Sequence, residues 1–277
     1  LTIQALHTPH VDTPLEARRI DVRGLCKTFQ LAGTAIEAVR DVSFNVRRGE
    51  FVALLGPSGS GKSTVLNMIA TLVKPTSGQI LIDGTPVVPG QATPNVGYVF
   101  QRDTLFPWRT VADNIGYGLQ LAGVPMAERK ERIDACLRQA GLQDFGSAYP
   151  SALSGGMRQR AALMRTLVVE PQVLLMDEPF GALDTHTKID MHDVLLRIWE
   201  REKQTVLFVT HDLGEALTLA DRIILFSARP GRIKESFEVD FARPRNAVKI
   251  RETPRYAELF QLIWHSLGEE FIKGRKP

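Results

Sequence analysis

The run Gly56-Pro57-Ser58-Gly59-Ser60-Gly61-Lys62-Ser63-Thr64 has the residue types and the spacing to grip phosphate. Its glycines let successive backbone N–H groups turn inward with no Cβ in the way, so the loop and the helix start behind it form an anion nest. Lys62 adds a point charge for β- and γ-phosphates, and Ser63 offers a hydroxyl ligand to Mg²⁺. A plain Gly/Ser turn is the alternative. The complete G-x-x-x-x-G-K-S pattern, set between an apolar run (Phe51 to Leu55) and a helical segment (Val65 to Leu72), argues against it. A second chemical centre follows Val173-Leu174-Leu175-Met176, an apolar run of the kind that forms a central parallel strand. It ends in Asp177-Glu178, which puts two carboxylates at a strand's carboxyl end, where open α/β sheets bind ligands. Asp177 suits Mg²⁺, and Glu178 is placed to polarise an attacking water.

Other residues gain meaning from these two. His211 ends the buried run Thr205 to Thr210, and a contact to a γ-phosphate is expected of it. Asp212-x-x-Glu215 alone would also explain a helix start there. Ser154-Gly155-Gly156 precedes a helical segment and offers a second exposed helix N-terminus suited to an anion. Phe29 is placed in the connection between two strands, where its ring can stack on a base. After Gln101 comes an unusual loop, Arg102-Asp103-Thr104-Leu105-Phe106-Pro107-Trp108-Arg109. Its Leu, Phe and Trp either tuck beneath the domain or face a partner.

The elements that must position these groups alternate. Strands are expected at Ile20–Leu25, Ile36–Val46, Gln79–Ile82 (closing in Asp83-Gly84), Asn95–Phe100, Ile223–Phe226 and Arg232–Val239. Thr110 to about Leu167 shows no strand signal after its Thr110-x-x-Asp113 cap and reads as a helical lobe inserted in an α/β core. A linker with Arg243-Pro244-Arg245 leads to a last helix whose Tyr256, Leu259, Phe260, Ile263, Trp264, Leu267 and Phe271 recur at helical spacing. Core packing is the default for that stripe, and a partner surface is the alternative. The chain has 277 residues, 44% hydrophobic and 23% charged, and a net charge of +3, too weakly basic to argue for nucleic acid. Cys26 and Cys136 have no metal-binding or disulfide spacing, and a reducing cytosol fits them. No run approaches the length of a membrane span.

Phosphate loop, paired acids and strand-end histidine, together with Leu153-Ser154-Gly155-Gly156, make Arg18 to Lys234 resemble the ATP-binding cassette family. The resemblance implies a P-loop NTPase core with an antiparallel β subdomain and a helical subdomain at about 102–167, all within 18–235. An arm at 1–17 and a helical extension at 236–277 would flank it. It further implies ATP and Mg²⁺ as ligands, Phe29 stacking on adenine, Gly56 to Thr64 as the Walker A loop, and Gln101 as the Q-loop glutamine shared by metal and catalysis. Leu153 to Met157 would be the signature, its Ser154, Gly155 and Gly156 holding ATP, Asp177 and Glu178 the Walker B pair, Asp184 part of the D-loop, and His211 the switch histidine. Met157 stands where Gln is usual and Phe29 where Tyr is common. A head-to-tail dimer sandwiching two ATP molecules is implied. Phe106 to Val111, the signature and Ser227-Ala228-Arg229-Pro230-Gly231-Arg232-Ile233 are most similar to nitrate/sulfonate/taurine import ATPases. That implies a place on the cytoplasmic face of the bacterial inner membrane, a permease partner that meets the 102–109 loop, and indirectly a periplasmic solute-binding protein. A soluble ATPase of repair, translation or cluster assembly is the rival class. An inactive nucleotide sensor is disfavoured by the intact Lys62, Asp177, Glu178 and His211.

Overall fold

A computed structural model describes residues 14, 17–31, 33–181 and 183–273. Most of the 1–17 arm, and Ala182 of the Ala182-Leu183-Asp184 motif, lie outside the described residues. The chain divides into two compact units, Leu1–Pro94 with Lys203–Pro277, and Asn95–Glu202.

In the first unit, β1 (Arg18–Leu31) and β2 (Thr34–Arg47) pair antiparallel, and β1 also pairs with β4 (Ser77–Ile82), which turns through Asp83-Gly84 into the short β5 (Thr85–Pro86). The β1–β2 register shifts at several points, and the hairpin runs further than the alternation pattern reaches. Phe29 is therefore not in the connection but inside β1, opposite Ile36. The second sheet of this unit places β3 (Phe51–Leu55) between β8 (Thr205–Thr210) and β9 (Arg222–Phe226), parallel to both, with β10 (Ile233–Glu238) antiparallel on β9. Every side chain of β3 is fully buried, as expected for a strand covered on both faces.

α8 (Pro254–Lys273) packs against α7 (Leu213–Leu219), and its Leu259, Ile263 and Leu267 are buried. Three rings of the same helix, Tyr256, Phe260 and Trp264, continue a stacked ladder that starts at Phe241 and ends at an exposed Trp264. The stripe read as core is thus split: three aliphatic residues are core, and Trp264 is exposed. The expected linker at 243–245 is pinned down, with Arg243 donating to Asp221 and a buried Arg245 to the carbonyls of Ala220 and Val239.

The second unit is wider than a helical lobe at 102–167. It begins with β6 (Val96–Val99), whose parallel partner is β7 (Val173–Asp177), so the pairing draws in both ends of the helical stretch. Between them lie α2 (Val111–Ile115), α3 (Tyr117–Leu121), α4 (Met126–Gln139) and α5 (Gly155–Leu167), and α6 (Thr185–Glu202) follows β7. Cys136 sits inside this unit with its thiol pushed up to about 11, by burial and then by the Glu170 carboxylate, so it packs as a small apolar side chain. Among the described residues no helix is long and apolar enough to cross a membrane.

Candidate functional site

In the first unit β3 delivers the chain into the phosphate loop and α1 (Lys62–Ile69) takes it away. α1 has no side-chain N-cap and no acid in its first turn, which suits its N-terminus to an anion. Gly61 holds φ at 85°, and a Cβ there would stand 2.6 Å from the Ala38 carbonyl, so both conformation and space demand glycine. The loop is also clamped from outside. Gly231 donates its N–H to Ala38 and accepts from the Arg40 N–H, and a Cβ on it would come within 1.9 Å of the Ser60 carbonyl. Lys62 is buried, and its Nζ donates to the Gly56 carbonyl (2.9 Å), the Pro57 carbonyl (2.8 Å) and Ser60 Oγ (3.1 Å). An ammonium group is thereby held inside the turn.

Phe29 is half-buried, with Lys27 Nζ 4.8 Å from its ring centroid. His211 is exposed immediately after β8. The turn behind it is firmly built: Asp212 caps α7 by accepting from the N–H groups of Gly214 and Glu215, and Thr210 Oγ1 donates to Glu215 Oε2 at 2.7 Å. The cap is therefore present and the histidine rides on it.

In the second unit, β7 ends at a half-buried Asp177. Tyr98 on β6 donates a hydrogen bond to that carboxylate, a partner sequence reading missed. Burial, and then the Asp177 charge and hydrogen bond, raise the Tyr98 phenol above its ordinary range, so it remains a donor. Glu178 adopts φ 44°, an uncommon conformation for a residue with a long side chain. Gln101 Nε2 donates to its Oε2 at 3.3 Å, so these two expected site residues meet directly. Ser154 is the N-cap of α5 and accepts from the Met157 N–H, while Gly156 passes close to Thr187, where a Cβ would lie 3.2 Å from its methyl. Asp184 uses both oxygens as a cap, accepting from the N–H groups of His186 and Thr187 and from Thr187 Oγ1. Those Thr187 bonds lower its carboxyl below the usual range.

The apolar side chains of the loop after Gln101 divide between the interior and the surface. Leu105 tucks in, whereas Trp108 is 71% exposed. Asn114 on α2, fully buried, holds the loop: its Oδ1 accepts from the Phe106 N–H (2.7 Å), and its Nδ2 donates to the carbonyls of Phe106, Arg109 and Thr110. The Arg109 guanidinium stacks over Tyr117 and Phe106. Arg158, inside the Ser154 helix, donates to Asp103 Oδ2 (2.8 Å) and to the Leu153 carbonyl (2.8 Å). One loop thus touches both the glutamate and the serine–glycine helix. Asn114→Ala strands these loop groups and is expected to cost about 1–3 kcal/mol in urea unfolding. Unchanged stability would show the loop to be held by something else.

A family model described as ABC transporter matches residues 39–181. The taurine import ATP-binding protein of Rhizobium johnstonii is 44% identical over 83% of this chain and 89% of its own length. The nitrate import ATP-binding protein of a Synechocystis strain is 43% identical over 86% and 90%. Among solved structures, a dimeric ATP-binding cassette in a post-hydrolysis state bound to ADP and phosphate has a TM-score of 0.72 at 33% identity, over 80% of this chain and all of that one. With a lysine-bearing phosphate loop clamped in one unit and a glutamate tethered to Gln101 in the other, the chain belongs to the ABC transporter family as an ATP-binding subunit that hydrolyses ATP.

Proposed function

We propose that this subunit energises a bacterial importer of nitrate/sulfonate/taurine-type solutes, working as a head-to-tail dimer on a membrane permease with a periplasmic solute-binding protein upstream. Residues 18–235 form its ATPase domain. Gly56 to Thr64 grip the phosphates, Lys62 lies against the β- and γ-oxygens, and Phe29 stacks on the base. Glu178 orients the attacking water and takes its proton as the bond from γ-phosphorus to the ADP oxygen breaks. His211 touches the γ-phosphate, Asp184 fixes the neighbouring turn, and Ser154, Gly155 and Gly156 of a second copy close over the same ATP. For Mg²⁺, the Ser63 hydroxyl, the Gln101 amide oxygen and the Asp177 carboxylate would supply the oxygen ligands that ion prefers, and Tyr98 holds the Asp177 carboxylate in place. When bound, that ion offsets negative charge on the β- and γ-phosphates.

The observation that carries the transport reading is the loop from Gln101 to Arg109. It presents an exposed Trp108 while Gln101 bonds Glu178 and Asp103 bonds Arg158. A permease segment seated on Trp108 therefore pushes on the catalytic carboxylate and on the serine–glycine helix together. Two of the relatives, from Rhizobium johnstonii and a Synechocystis strain, are named import subunits, which favours this over a soluble repair or translation ATPase. Work at the cytoplasmic face of the inner membrane as a peripheral subunit follows from the same reading. Trp108→Ala is expected to leave phosphate release by the isolated subunit within about twofold, because a surface truncation away from the core is worth only tenths of a kcal/mol. Solute uptake in vesicles reconstituted with the permease should fall severalfold. Equal uptake would remove Trp108 from the docking surface.

A further inference from the structure

A cavity of about 960 Å³ opens in the first unit on the outer side of the phosphate loop. Pro57, Ser58 and Gly59 form one wall, the 227–233 loop a second, and the end of α8 a third. It shares Pro57, Ser58 and Gly59 with the phosphate loop, whereas Ser60 to Thr64, Lys62 among them, and Phe29 do not line it. Its volume is typical of small-molecule sites.

The walls are built firmly. Gly231 is stitched to Ala38 and Arg40 by two backbone hydrogen bonds. Ala228 donates its N–H to the buried Glu270 carboxylate at 3.0 Å, which pins the same loop to α8. Lys234 lies 3.4 Å from Glu270 and donates to Glu269 and to the Ser266 carbonyl, so the acid in the cavity is already matched. Arg40 is engaged by Glu37. Arg229 and Arg232 differ: neither guanidinium has a carboxylate partner among the described residues, although both line the cavity. Arg229 Nη2 lies 3.5 Å from where a Cβ on Gly59 would stand, so its fork overhangs the loop. Phe271, 40% exposed, adds an aromatic face to the lining.

Two unmatched guanidinium forks and one exposed ring are the chemistry that recognises a phosphate ester carrying a planar base. We propose that this cavity is a second ligand site for a nucleoside phosphate, with its phosphates on Arg229 and Arg232 and its base against Phe271. Because one wall is the outer face of the phosphate loop, occupancy is linked to the affinity of that loop for ATP.

The test is equilibrium dialysis of the full chain with labelled ADP. Lys62→Ala, which weakens the phosphate loop, should retain a saturable ADP site. Adding Arg229→Ala and Arg232→Ala should weaken that site by at least about tenfold, since each charge-assisted contact is worth about a decade of affinity. Phe271→Ala in the Lys62→Ala background should weaken it as well. Both arginines are exposed, so their truncation spares the core. The proposal is overturned if Lys62→Ala binds no ADP, or if it binds ADP with an affinity that the arginine pair does not change. In the second case the residual binding belongs to the phosphate loop, and the role given to Lys62 fails as well.

Discussion

Glu178→Gln is expected to bind ATP about as tightly as the wild type and to release phosphate about 10²–10⁴-fold more slowly, the range a positioned general base contributes. Glu178 follows β7, half-buried and in a left-handed backbone conformation, and Gln101 holds one of its carboxylate oxygens. An amide keeps the shape and can still bond Gln101, but it has no basic oxygen to take the proton of the attacking water. Lys62, Ser60 and the loop glycines are untouched, so affinity and rate separate. Phosphate release read beside nucleotide binding makes the measurement. Turnover near the wild-type rate would take Glu178 out of its role, and a joint loss of binding and turnover would point to a damaged fold.

Arg222→Ala is expected to cost about 3–5 kcal/mol, a large share of the roughly 5–15 kcal/mol that holds a domain together. Arg222 Nε and Nη2 meet the Glu50 carboxylate at 2.8 and 3.1 Å, and Nη2 also donates to the Asn45 carbonyl at 2.6 Å. Both side chains are almost fully buried. The Arg47 N–H and guanidinium complete the shell of Glu50, and that carboxylate in turn raises the Arg47 pKa. The cluster ties the end of β2 to the starts of β3 and β9, at the opposite end of β3 from the phosphate loop. Removing the arginine leaves a buried carboxylate without its main counter-charge, and that uncompensated charge sets the size of the effect. Urea unfolding reads it directly. A loss under about 1 kcal/mol would mean that water reaches Glu50, as at an exposed pair.

What the residues announce in advance is local. Gly56 to Thr64 is legible because backbone reversal and phosphate charge require particular residue types at adjacent positions. β3, β7 and β8 are legible because strands buried on both faces must be apolar throughout. The caps at Thr110, Ser154 and Asp212 follow from short polar side chains ahead of apolar periodicity, and each forms the expected bond. Contacts between residues distant in sequence are not legible. Tyr98 reaches Asp177 only because β6 and β7 pair across the helical stretch, and Arg158 reaches Asp103 only because α5 folds back on the loop. Phe29 is misplaced by pattern alone because the irregular β1–β2 register carries the strand past the last clear alternation. Arg243 and Arg245 look like linker residues until Asp221 and the carbonyls they bind are brought alongside.

The central claim is that two copies share each ATP, the phosphate loop of one copy facing Ser154-Gly155-Gly156 of the other. Sedimentation velocity of Glu178→Gln with and without Mg²⁺ and ATP, repeated after adding Ser154→Arg, tests it most directly. The expected result is a monomer without nucleotide, a dimer with it, and a monomer again when Ser154 carries the bulky cation. A chain that stays monomeric with ATP throughout, or a dimer indifferent to Ser154→Arg, would contradict the shared site.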